Sequence, residues 1–592
     1  MEIPAEALMS PDTLQNTLTD VPIQPEPPVL STSEPGVNSL AATVAEARYR
    51  VPSQINIDRL LGIMGAKLAA AEDHIWGLRE DPGYFADAAL DIWEHRPESI
   101  IDFNGEKHSY MKGPSFRAIW DRILQQLVME AYMLLTYWDE MYSRIAHLRD
   151  LLHKHAGDLK PEIQLPSELL RAFLVLDHNI KQHVMDPIRE LKRSIPSSPP
   201  LRGWFRRMPE GSNPDIPSFS TSERPMTKSS YRVRCILDNI MVPDAATGRL
   251  NRLLDELERT TQNDRESRDL FTPRVSSLLS DLSVLVQCQN QLNCFQPWAS
   301  TFCDEANNCY HDLQYEHQKR MLFVPFLNDS MLEASLAILG DPSDHKFRYP
   351  IDKRRTRETT AILQASEHAL DEFWHKVDKV TLGEKDLLPE VLIKFLKSNR
   401  VLHRTPNWVE PSKSHSNSSQ QPNLKDDTRP LSETYYELQQ HTEQTISPSK
   451  QLAKKSKPKT RGASKTSSAS PYNPPDLSGL SLEAEAKPTF HVNKRALKVF
   501  RTLLSQPSRT AQPGEVPWIE FLHAMESLGF ASEKLYGSVW QFTPSGRKLD
   551  RGIQFHEPHP ISKIPFRIAR RMGRRLNRAY GWEGNLFCLQ GK

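Results

Sequence analysis

Residues 116–155, FRAIWDRILQQLVMEAYMLLTYWDEMYSRIAHLRDLLHKH, decide the fold class. Trp120, Ile123, Leu124, Leu127, Val128, Ala131, Leu134, Leu135, Trp138, Tyr142, Ile145 and Leu148 recur at the 3.6-residue period of a helix. At 1.5 Å per residue such a helix is roughly 60 Å long, so it must support neighbours along its whole length. Working outward, Leu60, Leu61, Met64 and Leu68 start a helical pattern near Ile57. Pro82 suits the first turn of another helix, because its fixed φ fits there and no N–H is needed. Further helical patterns cover Glu168–Arg193, Leu250–Glu258, Pro273–Leu292, Trp298–Tyr315, Glu358–Val380 and Leu388–Leu396. The reading is mainly α: a large helical array divided into subdomains at 51–195 and 231–400, with a Pro/Ser-rich loop at 196–230 between them.

Composition sets the remaining boundaries. The chain has 592 residues, too many for one compact core, and its 45 prolines nearly double its 24 glycines. Residues 1–50 read as a disordered leader and residues 401–488 as a disordered linker, since both are polar, Pro- and Ser-rich and without apolar periodicity. Within the linker, the run from Lys454 to Arg461 resembles a nuclear-import signal, which places the protein in the nucleus or the cytoplasm. Six cysteines do not make a disulfide framework, and no apolar run is long enough to span a membrane.

The overall net charge of +1 conceals a separation of charge. From His491 to Lys592 there are 17 Lys and Arg against 7 Asp and Glu, a local +10, which leaves −9 on the remainder. Such a tail either binds a polyanion or docks on an acidic body. Residues 489–592 read as a small basic α+β domain of order α-α-β-β-α. Asn493 caps a helix to Leu504, and a second helix runs from Pro517 to Gly529. Strands follow at Tyr536–Phe542 and Gly552–His556, and a last helix opens near Pro565.

That last helix carries the sharpest chemical signal. With Arg567 at 0°, Arg571 falls at about 40°, Arg574 at about 340° and Arg578 at about 20°, with Arg570 and Arg575 flanking them at about 300° and about 80°. Ile568, Ala569, Met572 and Leu576 take the opposite side. Forked guanidinium donors match phosphate oxygens, so Arg567, Arg570, Arg571, Arg574, Arg575 and Arg578, with Lys563 just upstream, form a candidate nucleic-acid-binding face. Trp540 and Trp582 are candidate base-stacking residues or core residues. The alternative is that the same face meets an acidic partner or the protein's own acidic body.

Short phrases in this tail resemble a known family. Leu528-Gly529-Phe530, Gly537-Ser538-Val539-Trp540-Gln541-Phe542 and Ile553–Pro560 followed by a basic helix are similar to the bacterial HicA/YcfA-like toxins. The resemblance implies a fold related to double-stranded-RNA-binding domains and RNA as the target. In that family a catalytic histidine follows the glycine-serine pair, and Val539 stands there, a side chain unable to transfer a proton. The whole chain also resembles large fungal proteins of unassigned activity, on phrases close to Phe555–Pro560 and Ala569-Arg570-Arg571.

His556 and His559, flanking Glu557 and Pro558, are candidates either for a displaced acid/base pair in a metal-independent ribonuclease or for residues that fix the strand–helix junction. The spacing of Cys288, Cys294, Cys303 and Cys309 matches no zinc finger, and His368, Glu372 and His375 form no metalloprotease signature. Phosphate-loop, Rossmann, nucleophile-elbow and kinase motifs are missing, so no cofactor and no metal are expected. The sequence therefore predicts a non-enzymatic scaffold whose basic C-terminal domain binds RNA or another polyanion.

Overall fold

The structure is a computed structural model that describes residues 55–410 and 489–590 apart from 110–114, 158, 160–163, 209–218, 223, 243–246, 295–298, 384, 399, 506–513, 536, 546–550 and 559–561. The leader at 1–50, the basic run Lys454–Arg461 with the rest of 411–488, and His559 lie outside the described residues.

Residues 57–400 form a large, mainly helical array. In chain order it contains α1 (Ile57–Glu80), α2 (Pro82–Glu94), α3 (Ser115–Lys154) and α4 (Ser167–Ser197), then a hairpin of β1 (Phe205–Arg207) and β2 (Phe219–Thr221). There follow α5 (Lys228–Ile240), α6 (Thr247–Asn263), α7 (Arg265–Arg268), α8 (Pro273–Cys294), α9 (Ala299–Asn308) and α10 (Tyr310–Arg320). The array closes with α11 (Phe323–Glu333), α12 (Ala337–Gly340), α13 (Arg357–Gly383) and α14 (Glu390–Leu396).

The long central helix is α3, and its apolar stripe is buried from Ile119 to Leu151. It packs against α1, α2 and α4 from the first half of the array and against α11, α12 and α14 from the second. One continuous hydrophobic core therefore runs from Ile57 to Phe395, shared by the two segments read from sequence as separate subdomains. Half-buried ion pairs join the helices around the same core. Arg274 on α8 holds Glu130 of α3 and Glu190 of α4, each at 2.7 Å, and Lys67 of α1 holds Asp281 of α8 at 2.7 Å. No single helix among the described residues is long and apolar enough to cross a membrane; one bent pair, Tyr310–Glu333 with Ala337–Asp344, passes on length and composition.

Two stretches differ from the sequence reading. The loop at 196–230 begins inside α4, which carries Pro196, and it contains the β1–β2 hairpin, paired Phe205 to Thr221. Residues 401–410, read as the start of the linker, lie along the body. The His403 N–H donates to Glu80, Arg404 pairs with Asp371, and the Thr405 N–H donates to Glu367 at 2.9 Å.

The C-terminal region is a small mixed α/β domain with its own core. Its elements are β3 (Phe490–Val492), α15 (Lys494–Leu503), β4 (Val516–Pro517), α16 (Trp518–Ser527), β5 (Phe530–Lys534), β6 (Val539–Pro544), β7 (Ile553–His556), β8 (Lys563–Ile564), α17 (Phe566–Tyr580) and β9 (Phe587–Leu589). β5, β6 and β7 form an antiparallel sheet in that order, with Lys534 opposite Trp540 and Phe542 opposite Ile553. The order α-α-β-β-α thus gains a leading strand, β5. Short pairings of β3 with β9 and of β4 with β8 close the domain's edges.

One face of this sheet, Trp540, Phe542, Ile553 and Phe555, packs on Phe500, Phe521 and Met572 of the helices. α17 crosses α15 closely enough that a Cβ at Gly573 would lie 1.9 Å from the Leu503 carbonyl oxygen, so only glycine fits there. The helix ends on Gly581 at φ +67°, a left-handed cap whose N–H returns to Asn577. The other face of the sheet carries the buried pair Gln541 and Gln554, bonded to each other at 2.8 Å, and β7 contacts α1 of the body.

Candidate functional site

The arginine face of α17 lies against the body, and the acceptors there are supplied by α1, α2 and the segment before α13. α1 starts on Asn56, whose side chain accepts the Arg59 N–H. It ends at Asp81, which caps two helices at once. The Asp81 N–H donates to Gly77 at the end of α1, while its Oδ1 accepts the Tyr84 N–H at 2.9 Å in the first turn of α2, with Pro82 at the first position. This arrangement leaves the second oxygen, Oδ2, turned outward toward α17.

Three guanidinium groups converge on that oxygen: Arg570 at 3.5 Å, Arg571 at 3.9 Å and Arg574 at 4.0 Å. Burial alone would raise the pKa of Asp81, but Arg571, Arg570 and Arg574 outweigh it and hold the carboxyl below its ordinary value. Arg571 also reaches Asp87 at 2.8 Å and lies over the Tyr84 ring, 4.9 Å from its centre. One turn deeper, Asp73 of α1 takes Arg575 on one oxygen at 3.1 Å and Arg578 on the other at 2.8 Å. Arg578 continues to Glu80 at 2.9 Å, and Arg567, the most exposed of the six, pairs with Asp352 at 3.4 Å.

Six arginines of one helix thus face Asp73, Glu80, Asp81, Asp87 and Asp352 of the body. The matching is incomplete. Asp81 Oδ2 and one nitrogen on each of Arg570, Arg571, Arg574 and Arg575 are buried with no protein hydrogen-bond partner. Each buried polar atom left in that state costs about 1–3 kcal/mol, so this interface holds together by charge attraction with its donors underused. Burial and the Arg574 charge lower the pKa of Arg570, as expected for crowded cations.

A second set of contacts anchors the sheet end of the small domain. Arg59 pairs with Glu533, and the Gly537 N–H donates to Glu258 of α6 at 2.8 Å. Burial raises the pKa of Glu258 despite Lys534 and that N–H nearby. A cavity of about 2050 Å³ is lined by His74, Glu130 and Arg274 from the body and His556, Lys563 and Arg575 from the small domain. His74 donates to or accepts from the Tyr84 hydroxyl at 2.8 Å, and burial pushes its pKa down to about 4.

The expected site residues are therefore brought together, but on an internal face. Arg567, Arg570, Arg571, Arg574, Arg575 and Arg578 point at carboxylates of the body, and Lys563 sits beside them on β8 in the cavity wall. Trp540 and Trp582 belong to the small domain's core, so neither ring is placed to stack a base. His556 is exposed at the end of β7, with Nδ1 3.3 Å from the Ser538 hydroxyl. Glu557 accepts from Trp540 Nε1 at 3.2 Å and from the Ser562 hydroxyl at 2.9 Å, which ties the end of β7 to the residue before β8. Val539 is buried beside Leu535. Cys288 is buried and its thiol is pushed up to about 12, and among the described residues no group of three His, Cys, Asp or Glu is placed to hold a metal.

The residues that sequence reasoning missed are the acceptors. Asp73 and Glu80 are seven residues apart, on one face of α1, and both are buried. Comparison of the chain with protein-family models, curated proteins and solved structures finds no match. The resemblances to the toxin family and to the fungal proteins rest on their short C-terminal phrases alone.

Proposed function

We propose that this protein is a non-enzymatic interaction scaffold in which the basic C-terminal domain docks on the acidic side of the helical body. The reading is carried by one observation: all six arginines of α17 face carboxylates of α1, α2 or the segment before α13. It is also supported by charge: +10 on residues 491–592 against −7 on residues 55–400, which makes the two parts mutually attractive over distances up to a Debye length. The second anchor, Arg59 with Glu533 and Glu258 with Gly537, gives the docking a defined orientation.

The test uses the whole chain with a protease site placed within 411–488. After cleavage the two pieces are expected to co-elute at low salt and to separate when Arg574 and Arg578 are both replaced by Glu. Separation of the unaltered pieces at low salt and micromolar concentration overturns the reading.

A further inference from the structure

The docked face is poorly satisfied for one built of arginine. A guanidinium offers five N–H donors in a planar fork, and the match it favours is bidentate, with two parallel bonds to one carboxylate or phosphate. At Asp81 the geometry is the reverse. Three guanidiniums share a single oxygen at 3.5–4.0 Å, and that oxygen and a nitrogen of each arginine are left without a hydrogen bond. Arg574 meets Asp81 only at 4.0 Å, and one of its nitrogens is buried without a hydrogen bond among the described residues. The five carboxylates are fixed on the body, so their oxygens cannot shift to meet six such groups held on one helix.

A phosphodiester strand is not fixed in this way. It carries one charge with two free oxygens on each phosphate and can bend to present them along the stripe from Arg567 to Arg578, a line of about 16 Å at 1.5 Å per residue. We infer that the docked face is a nucleic-acid-binding surface held shut, and that RNA or DNA backbone competes with Asp73, Glu80, Asp81 and Asp87 for the same arginines. Two features make the exchange physically accessible. The small domain has a hydrophobic core of its own, so it keeps its fold when undocked. Lys563, Arg571 and Arg575 line the interdomain cavity beside Asp87, Glu515 and Glu557, so one edge of the arginine face already borders open space.

This inference rests on the docking reading and extends it by naming the competitor. If the face binds nucleic acid only when undocked, the apparent affinity is the intrinsic affinity scaled by the undocked fraction. Weakening the body's carboxylates must then tighten nucleic-acid binding, although those residues never touch the ligand.

The experiment measures binding of a labelled 20-nucleotide single-stranded RNA, and of DNA of the same sequence, to the full chain by fluorescence anisotropy at fixed salt. The key variant is Asp73→Asn/Asp81→Asn, in which Asn still caps α2. The charge-matched control is Asp304→Asn/Asp312→Asn on α9 and α10. The key variant is expected to bind at least ten times more tightly than the control, and adding Arg571→Gln/Arg574→Gln/Arg578→Gln is expected to abolish the gain.

Equal affinity of the key variant and the control overturns the inference, and so does equal displacement of the small domain by polyglutamate at matched charge. Asp87→Asn removes an exposed partner of Arg571 without touching a buried position. Should the double variant not fold, Asp87→Asn decides, with a two- to threefold gain expected and no gain counting against. Co-elution of the cleaved wild-type pieces is read separately, so docking without nucleic-acid competition is distinguishable from failure of docking itself.

Discussion

Arg578 Nε lies 2.8 Å from Asp73 Oδ1, with both side chains about nineteen-twentieths buried, at 5% and 6% exposure. A pair this well hidden is costly to break from one side, because the surviving charge keeps its desolvation cost and loses its partner. Asp73→Ala is expected to destabilise the protein by about 3 kcal/mol. Arg578 keeps Glu80, whereas Arg575 is left without its carboxylate, so Arg575→Met added to it is expected to restore part of that loss. Denaturant midpoints for the two single variants and the double variant measure the coupling, and simple additivity would count against it.

Gly573→Ala supplies a test of the small domain's packing whose sign is informative. In an open helix interior this change stabilises by about 1 kcal/mol. Here the new Cβ falls 1.9 Å from the Leu503 carbonyl oxygen, so α15 and α17 must separate. The expected outcome is a loss of about 1–3 kcal/mol. A lowered thermal midpoint for the C-terminal domain checks it.

Stability should fall with acid in a window set partly by His74. Its folded pKa is about 4, whereas the unfolded chain titrates near 6.5. The unfolded state therefore binds the proton first as pH drops, and stability contributed by the neutral ring is complete above about 6.5 and lost progressively down to about 4. The ring keeps some solvent contact, which trims the loss to about 1–2 kcal/mol. Urea midpoints at pH 7 and pH 4.5 are expected to differ less in His74→Gln than in the native sequence.

Thiol reactivity should sort the cysteines by burial. Cys288 is buried, with its thiol pushed up to about 12, while Cys588 is exposed on β9. A disulfide reagent at pH 8 is expected to modify Cys588 rapidly and Cys288 only on unfolding, because the thiolate is the reacting form. Peptide mapping after timed labelling reads both rates, and fast labelling of Cys288 in the folded protein would refute its placement.

Periodicity made the helices legible wherever apolar residues recur over several turns. The pattern at 116–155 matches α3 within a residue at each end. The one-sided arginine set on α17 was equally visible, and so was the charge division. β5 was not, because Phe-Ala-Ser-Glu-Lys offers one large apolar residue and its buried Ser532 is held by Glu526 rather than by apolar packing. The hairpin of β1 and β2 was hidden for a similar reason, with three residues in each strand. The acceptors of the arginine face lie beyond the reach of any local pattern. Arg578 and Asp73 are 505 positions apart, and buried acids on an otherwise apolar helix look like ordinary surface until the partner domain is placed on them.

The segment leaving the body runs past the same glutamate that receives the closing helix. Glu80 accepts the His403 N–H on one oxygen and Arg578 on the other. Wherever residues 411–488 travel, the tether therefore begins at the docking point. A detached C-terminal domain stays leashed to its own berth, and its effective local concentration there is set by the leash, not by how many copies the cell holds. Recapture then becomes a first-order event, indifferent to dilution, and any rival ligand must outbid a neighbour that never leaves.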